Sequence, residues 1–484
     1  MKTKEKRTPT FAVAILPMVF MLAVLIVGKA ILGYRTEFLL SLSAAFAAVI
    51  GYTLGYTWDE MMDGVSDKIA KTWPTIMILV VVGAIVSTWM LSGTTPLLIY
   101  YGIQIINPKF LYVCSFIICA IISTCCGTSW GTMATIGVVL VVIADGLGAS
   151  TAITAGAVVS GSYFGDKMSP LSDTTNLAPI AAGSKLYDHI SHMFYTTVPA
   201  ALAACVVYLV LGLRTNVSSL ATPETVTNML DNLSSIFKMN VVLALIPVVI
   251  IIYGSVTRKP TIPVMGISAA SAMLIGIFYQ GFSLKDAISS CIGGFSVDMI
   301  PAGRIDPDAI IFEVSKLLNR GGFESMMETV LLIICAFTFA GIISKTGCLE
   351  VILHKMLTFV KTRFQLIAST AVSTILMALA TGSDFLTILL PGELFRDAYK
   401  ERGLAARNLS RTLEDCGTCV VALIPWSAAG VYATGVLGIP TVEYLPFAFF
   451  GIFSVIMAFV CAATGFGIMT LEQEAEIEKK KAAK

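Results

Sequence analysis

The chain has 484 residues, of which 56% are hydrophobic and 13% are charged, and its mean hydropathy is +0.84. Soluble domains carry about 25% charged residues, so the composition excludes an ordinary soluble protein and predicts a polytopic membrane protein surrounded by the lipid bilayer. At about 20 residues for each span, the length leaves room for roughly a dozen spans. The net charge of +1 and the absence of a basic stripe argue against a nucleic-acid partner.

The first apolar run, over 11–27, follows a basic N-terminal segment. No small-residue cleavage site with a polar mature domain comes after it, so we predict an uncleaved first span rather than a signal peptide. By the positive-inside rule, three basic places are predicted to be cytoplasmic, which puts both termini inside. These places are Lys2, Lys4, Lys6 and Arg7; Arg258 and Lys259; and Lys479, Lys480, Lys481 and Lys484. The long polar segment 214–240 is predicted to lie outside.

A charged stretch after the second apolar run contains acidic residues followed by Lys68 and Lys71. With Asp59, Glu60 and Asp63, these lysines are predicted to form an amphipathic stretch on the cytoplasmic side.

Two small polar clusters, at 127–132 and 382–387, lead into apolar runs over 133–145 and 385–395. These runs are short for a crossing of about 30 Å at 1.5 Å per residue. Irregular backbone at membrane depth is tolerated only where protein or water surrounds it. We therefore predict two re-entrant helical hairpins with these clusters at their tips, the second hairpin arm ending near Glu393.

The segment 160–179 places Asp166, Lys167 and Asp173 around Pro170 between apolar flanks. An ionisable residue at a helix centre in lipid costs about 2.5–3.5 kcal/mol on insertion scales. Three such residues with a proline predict a transmembrane helix that is broken around a polar cavity, as in secondary transporters. The alternative is an extramembrane loop, which the small and apolar flanks disfavour.

The chain aligns with itself at an offset of 255, which places Gly127 on Gly382 and Pro170 on Pro425. The predicted fold class is therefore an all-α polytopic membrane protein with two inverted-topology repeats, each with a re-entrant helical hairpin and a proline-broken transmembrane helix. Chance recurrence of small residues used for helix packing is the alternative. The predicted segments are 1–35 (N-terminal cytoplasmic segment and first span), 36–213 (first repeat, with tip 127–132 and broken helix 150–182), 214–260 (external loop and linking span), 261–468 (second repeat, with tip 382–387 and broken helix 406–434) and 469–484 (cytoplasmic tail).

The tips and breaks supply carboxylate and hydroxyl oxygens, which suit a hard cation such as Na⁺ or Li⁺ rather than a transition metal. The residues predicted to bind a cation or proton are Asp384, Asp173, Asp166, Asp415, Glu414, Ser129, Thr132, Ser169, Ser172, Ser383 and Thr387. The residues predicted to shape the site are Gly127, Gly382, Pro170, Pro425 and Lys167.

A desolvated carboxylate holds either a proton or a metal cation, so competition for it is a minimal exchange mechanism. Asp384 is the carboxylate that we favour most. Lys167 is expected to neutralise its neighbour Asp166, which would leave Asp173, Asp384 or Asp415 to exchange protons.

Cys416 and Cys419 have the spacing of a redox or zinc motif, but no second pair supports it. A metal site at His189 and His192 is equally weakly supported.

Three stretches carry a resemblance to a known family: GSYFGDKMSPLSDTTNLAP at 161–179, NLSRTLEDCG at 408–417 and IPW at 424–426. In these stretches, and over most of the chain, the sequence resembles the NhaC family of sodium/proton antiporters. The resemblance implies two inverted repeats with re-entrant hairpins and a multi-pass protein of a bacterial or archaeal inner membrane. It also implies a homodimer, by analogy with the wider group. The family includes malate/lactate antiporters, so an organic acid stays open as a partner.

The favoured function is exchange of Na⁺ for H⁺, with no cofactor beyond the transported ions. The alternative is a Na⁺/H⁺-coupled organic acid antiporter, because helix N-termini in a paired hairpin site also hold carboxylates. Arg407 and Arg411 are the only arginines near the predicted site that could bind such a substrate. A channel is disfavoured because no repeated carbonyl filter is evident, and an enzyme because no nucleophile and base are arranged together.

Overall fold

The computed structural model describes residues 6–215, 223–257, 259–306, 309–358 and 360–482. Lys2, Lys4, Arg258 and Lys484, which entered the orientation argument, lie outside these ranges. Within them the regular structure is helical apart from two isolated bridges, Phe295 with Arg320 and Leu404 with Thr470. The prediction of an all-α protein is confirmed for this part of the chain.

The helices of the first part of the chain are α1 (Phe11–Leu25), α2 (Thr36–Thr53), α3 (Trp58–Leu91), α4 (Thr94–Ile105), α5 (Leu111–Cys126), α6 (Ser129–Thr132), α7 (Val138–Gly146), α8 (Thr151–Met168), α9 (Asp173–Ala182), α10 (Leu186–Arg214), α11 (Pro223–Ile236) and α12 (Val241–Val256). The second part contains α13 (Thr261–Ile275), α14 (Leu284–Gly293), α15 (Phe312–Leu318), α16 (Met327–Lys345), α17 (Cys348–Leu357), α18 (Arg363–Thr381), α19 (Asp384–Glu401), α20 (Ala406–Leu413), α21 (Cys419–Val421), α22 (Ala428–Leu437), α23 (Thr441–Tyr444), α24 (Phe449–Thr464) and α25 (Leu471–Ala482). Short π-helical turns occupy Ile26–Ile31, Met133–Gly137, Gly276–Gln280 and Glu414–Thr418.

Nine helices of the described residues are long and apolar enough to cross a membrane, or up to eleven if each of two bent pairs is one span. This number agrees with a multi-pass membrane protein. The helices pack closely where glycines face each other's backbones. A Cβ atom on Gly161 of α8 would lie 2.2 Å from the carbonyl oxygen of Phe116 on α5, and one on Gly64 of α3 would lie 2.9 Å from that of Gly341 on α16. Small residues allow this close approach of membrane helices.

The two helices predicted as hairpin arms are longer than the apolar runs indicated. Residues 129–146 form one 18-residue helical stretch through a π turn, and α19 also has 18 residues. The prediction that the second arm ends near Glu393 is wrong, because Glu393 is an exposed residue in the middle of α19. A run of apolar residues identifies only the apolar part of a helix. The helical backbone continues where the side chains become polar, so the helix is longer than the run.

Helix bounds recur at the offset of 255. Residues 129–146 correspond to α19, and α9 corresponds to α22. The helical structure is interrupted around both predicted prolines: four residues separate α8 from α9, and six residues separate α21 from α22. Three glycine pairs with positive φ also share the offset, namely Gly127 with Gly382, Gly148 with Gly403, and Gly183 with Gly438.

Candidate functional site

Each of the two predicted tips lies against the gap between two later helices, α8 and α9 for the first tip and α21 and α22 for the second. A Cβ atom on Gly127 would lie 2.5 Å from Cβ of Leu171, and one on Gly382 would lie 3.1 Å from Cα of Ser427. The carbonyl oxygen of Gly382 also accepts a 2.9 Å hydrogen bond from the backbone N–H of Ala428. Both tip glycines have positive φ, 70° and 58°, so the backbone geometry and the close approach together require a residue without a side chain.

Contacts also cross between the two halves of the chain. The rings of Trp130, in the first hairpin, and Tyr432, on α22, stack with centroids 4.2 Å apart. The Tyr432 hydroxyl donates to the carbonyl oxygen of Trp130 at 2.9 Å. In the other direction, Arg396 of α19 donates to the carbonyl oxygens of Ile180 and Ala181 at the end of α9. Each half-helix is thereby attached to the hairpin of the other half.

This arrangement brings together Asp166 of α8 and Asp384 at the start of α19. The Ser129 hydroxyl at the first tip donates to Oδ2 of Asp166 at 2.8 Å. Oδ1 of Asp384 is buried and has no hydrogen-bond partner among the described residues. The two carboxylates lie close enough to interact electrostatically, and the buried Tyr163 side chain interacts with both.

Glu414 adds a third carboxylate from the π turn Glu414–Thr418. Both of its carboxylate oxygens are buried without a hydrogen-bond partner in the part of the chain that the structure describes, as are the hydroxyls of Thr387 and Thr418. Glu414 interacts electrostatically with Asp166. The Thr387 side chain contacts the π turn, because a Cβ atom on Gly417 would lie 3.2 Å from its methyl group.

Buried polar atoms are paired in the great majority of cases, so a group of unpaired oxygens indicates a place that receives a ligand or protons. The oxygens here belong to carboxylates and hydroxyls, which bind small hard cations. A π turn is rare and is often found at functional sites. The junction of the second tip, α8 and the π turn is therefore the candidate site.

The fourth carboxylate, Asp415, has a different surrounding. It forms an ion pair with Lys167, and both side chains are fully buried. The Thr196 hydroxyl of α10 donates to the same carboxylate oxygen of Asp415 at 2.9 Å. The expectation that Lys167 neutralises Asp166 is wrong, because consecutive residues of a helix point about 100° apart.

Comparison with known proteins shows the family of the chain. Residues 161–466 match the Na⁺/H⁺ antiporter family. The chain belongs to this family. The antiporter is 45% identical to an uncharacterized Na⁺/H⁺ antiporter of Haemophilus influenzae, over 98% of this chain and 100% of that protein. It is 37% identical to the Na⁺/H⁺ antiporter NhaC of Alkalihalophilus pseudofirmus, over 96% and 97% of the two chains. It is 31% identical to the malate-2H⁺/Na⁺-lactate antiporter of Bacillus subtilis, over 96% of each. The resemblance inferred from the motifs is confirmed.

The other predicted site residues of the antiporter lie around this junction with their hydrogen bonds mostly satisfied nearby. Asp173 is exposed at the start of α9 and interacts electrostatically with Asp166. Pro170 is exposed and Pro425 is half-buried, each within its break. The remaining groups make hydrogen bonds to nearby residues. The Thr132 hydroxyl donates to the Thr128 carbonyl oxygen, and the Ser169 hydroxyl accepts from the Leu171 N–H. The Ser172 and Thr174 hydroxyls are hydrogen-bonded to each other, and the Ser383 N–H donates to the Thr381 hydroxyl.

Three residues at the junction were not predicted from the sequence of the antiporter: Tyr163, Thr196 and Thr418. Helical spacing could have indicated Tyr163, three residues before Asp166, and Thr418, four residues after Glu414. Thr196 lies on α10, far from any motif, and gives no signal in the sequence.

Arg407 is paired elsewhere in the antiporter, whereas Arg411 is only partly paired, because its Nε is buried without a hydrogen-bond partner among the described residues. Arg407 pairs with Asp188 and with Glu474 of α25, at 3.4 and 2.7 Å. Arg411 is buried and donates to the carbonyl oxygen of Gly467 at 2.7 Å.

The described residues contain no group of three or more His, Cys, Asp or Glu side chains close enough together to hold a metal ion, so neither the histidines and cysteines nor the carboxylates of the antiporter form a closed metal centre there. His189 and His192 contact Ser410 and Asn408 of α20 instead. Cys416 and Cys419 are free and buried.

Proposed function

We propose that the protein exchanges Na⁺ for H⁺ by competition at a site formed by Asp384, Glu414 and Asp166. The observation that carries this proposal is the set of buried carboxylate oxygens of Asp384 and Glu414 without a hydrogen-bond partner among the described residues. An ionised carboxylate without a partner is costly to bury. It is relieved either by a bound cation or by a proton, and each excludes the other.

Charge counting supports more than one bound cation or proton in the loaded site. The group contains four carboxylates and the Lys167 ammonium: Lys167 interacts with Asp415 and Glu414, Glu414 interacts with Asp166, and Asp166 interacts with Asp384. If all were ionised, the group would carry a formal charge of −3. Asp415 is balanced by Lys167, so the other three carboxylates are those that take up Na⁺ or protons. The same oxygen ligands would accept Li⁺.

The recurrence of helix bounds and tip glycines supports two inverted repeats with the site at their interface, near the bilayer midplane. We place both termini in the cytoplasm, and the protein in the cell membrane of a bacterium or archaeon. Lys6 pairs with Glu60 at 2.6 Å, which supports placing the N-terminal segment and the start of α3 on the same side of the membrane.

Transport by purified protein in proteoliposomes with a pH-sensitive dye tests the proposal. A Na⁺ or Li⁺ pulse should move protons, and Asp384→Asn should abolish this movement while the variant stays folded, since an amide cannot exchange a proton. Asp145→Asn is the matched control, because Asp145 lies at the end of α7 and pairs with Lys316 away from the site. Normal exchange by Asp384→Asn would remove Asp384 from the mechanism.

A second candidate is Na⁺/H⁺-coupled exchange of an organic acid. One relative is named as a malate-2H⁺/Na⁺-lactate antiporter, and its sequence matches 96% of this chain. Dependence of proton movement on added malate or lactate in the same liposomes would favour this function over simple ion exchange.

A further inference from the structure

Tyr163 is a buried tyrosine of α8 whose hydroxyl makes no hydrogen bond with any of the described residues. Only 3% of the residue is exposed, and its hydroxyl oxygen is buried without a partner. Buried side-chain polar atoms are paired in the large majority of cases, because an unpaired one retains the cost of its lost hydration. The phenol oxygen is therefore available to a ligand.

Groups from both hairpin tips lie near this phenol. Tyr163 precedes Asp166 by three residues on α8, so the two side chains share one face of the helix. Asp166 accepts a 2.8 Å hydrogen bond from the Ser129 hydroxyl of the first tip. The Trp130 side chain of the same tip lies near the phenol without the geometry of a hydrogen bond. The phenol also interacts electrostatically with Asp384, the first residue after the second tip.

Asp384 needs more ligands than the other carboxylates supply. Its Oδ1 atom is buried without a hydrogen-bond partner in the described part of the chain. Among the described residues no three His, Cys, Asp or Glu side chains lie close enough together to hold a metal ion. The carboxylates of Asp384, Asp166 and Glu414 therefore do not enclose a cation by themselves. A Na⁺ ion at Asp384 needs neutral oxygens to complete its coordination, as hard cations generally accept.

We propose that the Tyr163 hydroxyl is a direct ligand of the Na⁺ ion that binds at Asp384. This inference rests on the proposed function, because it assigns a further ligand to the same ion. A phenol oxygen has lone pairs for a cation and an O–H group for a carboxylate oxygen. Tyr163 can therefore contact Na⁺ and one of the two aspartates together. The phenol remains neutral, so it contributes to Na⁺ affinity and carries none of the exchanged protons.

Tyr163→Phe removes this oxygen and keeps the aromatic ring. Thermal unfolding of the purified full-length protein in detergent measures the effect without transport. In choline buffer Tyr163→Phe should be at least as stable as the wild type, because an unpaired hydroxyl leaves no partner behind when it is removed. Na⁺ should raise the unfolding temperature of the wild type. Tyr163→Phe should need at least about tenfold more Na⁺ for the same rise, since an interaction with a charged group is lost.

Tyr399→Phe is the matched control. Tyr399 is 1% exposed, and its hydroxyl likewise has no hydrogen-bond partner among the described residues. It lies about four turns further along α19 than Asp384, so Tyr399→Phe should respond to Na⁺ as the wild type does.

Na⁺-driven proton movement in proteoliposomes gives a second measurement. Tyr163→Phe should raise the apparent KM for Na⁺ by about tenfold and keep kcat within about threefold of the wild type, the pattern expected when a binding interaction alone is removed. A structural hydroxyl would instead lower stability in choline buffer.

An unchanged Na⁺ requirement in Tyr163→Phe would overturn the proposal. So would lower stability in choline or failure to fold, since either result would assign the hydroxyl to the protein's own structure. If the wild type exchanges Na⁺ for H⁺ and Tyr163→Phe has a normal KM, only the role of Tyr163 fails. If Tyr163→Phe needs more Na⁺ for stabilisation and the wild type moves no protons, the ligand stands and only the exchange function fails. Absence of any Na⁺ effect on the wild type in both assays would overturn both.

Discussion

Lys167 of α8 and Asp415 of the π turn form a completely buried ion pair although they are 248 residues apart in the chain. The pair joins the two halves at the candidate site, and Thr196 provides Asp415 with a further hydrogen bond. It compensates Asp415 and leaves Asp166, Asp384 and Glu414 to serve the transported ions.

Removal of Lys167 alone should strongly destabilise the protein. Lys167→Met leaves the Asp415 carboxylate buried without its countercharge, for which we expect a cost of about 3–5 kcal/mol. The double variant with Asp415→Leu should recover much of this loss, because no charge is then left unpaired. Thermal unfolding of the two single variants and the double variant in detergent measures the coupling; a double variant as unstable as the sum of the singles would contradict the account.

Glu414→Gln should abolish or severely reduce Na⁺-driven proton movement without unfolding the protein. The amide has nearly the same size as the carboxyl group but can neither ionise nor release a proton. Glu393→Gln is the control, since Glu393 is exposed on α19, and it should transport normally. Equal activities of the two variants in proteoliposomes would show that Glu414 has only a structural role.

Gly382→Ala should impair transport more than Gly403→Ala. Both glycines have positive φ, so each variant pays a backbone cost of about 1–2 kcal/mol. Only at Gly382 would the new methyl group meet neighbouring atoms, namely Ser427 and Trp426 at the break, whereas no atom lies within 4 Å at Gly403. The two variants are compared by their initial rates of Na⁺-driven proton movement in liposomes with equal amounts of protein. Equal rates would mean that transport does not depend on the contact between the tip and the break.

The sequence allowed the prediction of the tips and breaks because glycine and proline mark backbone geometry directly. Gly127, Gly382 and Pro170 lie where a turn or an interruption was expected. Asp166 and Asp384 could be identified as site candidates because a carboxylate within an apolar run is costly unless it serves a function.

Pairings across the fold could not be predicted in this way. The partner of Lys167 depends on how α8 packs against the π turn, which adjacent residues in the sequence do not reveal. The burial of Lys68 could not be predicted either, because the aromatic ring over which its ammonium lies comes from α16.

The central claim is that Na⁺ and H⁺ compete at one site, and the apparent KM for Na⁺ as a function of pH tests it most directly. The protonated site cannot bind Na⁺, so the KM measured in proteoliposomes should rise as pH falls, by about tenfold per pH unit in the one-proton limit. At higher pH it should become constant. A KM that is independent of pH between about 6 and 9, in a protein that still moves protons, would contradict competition and require separate sites.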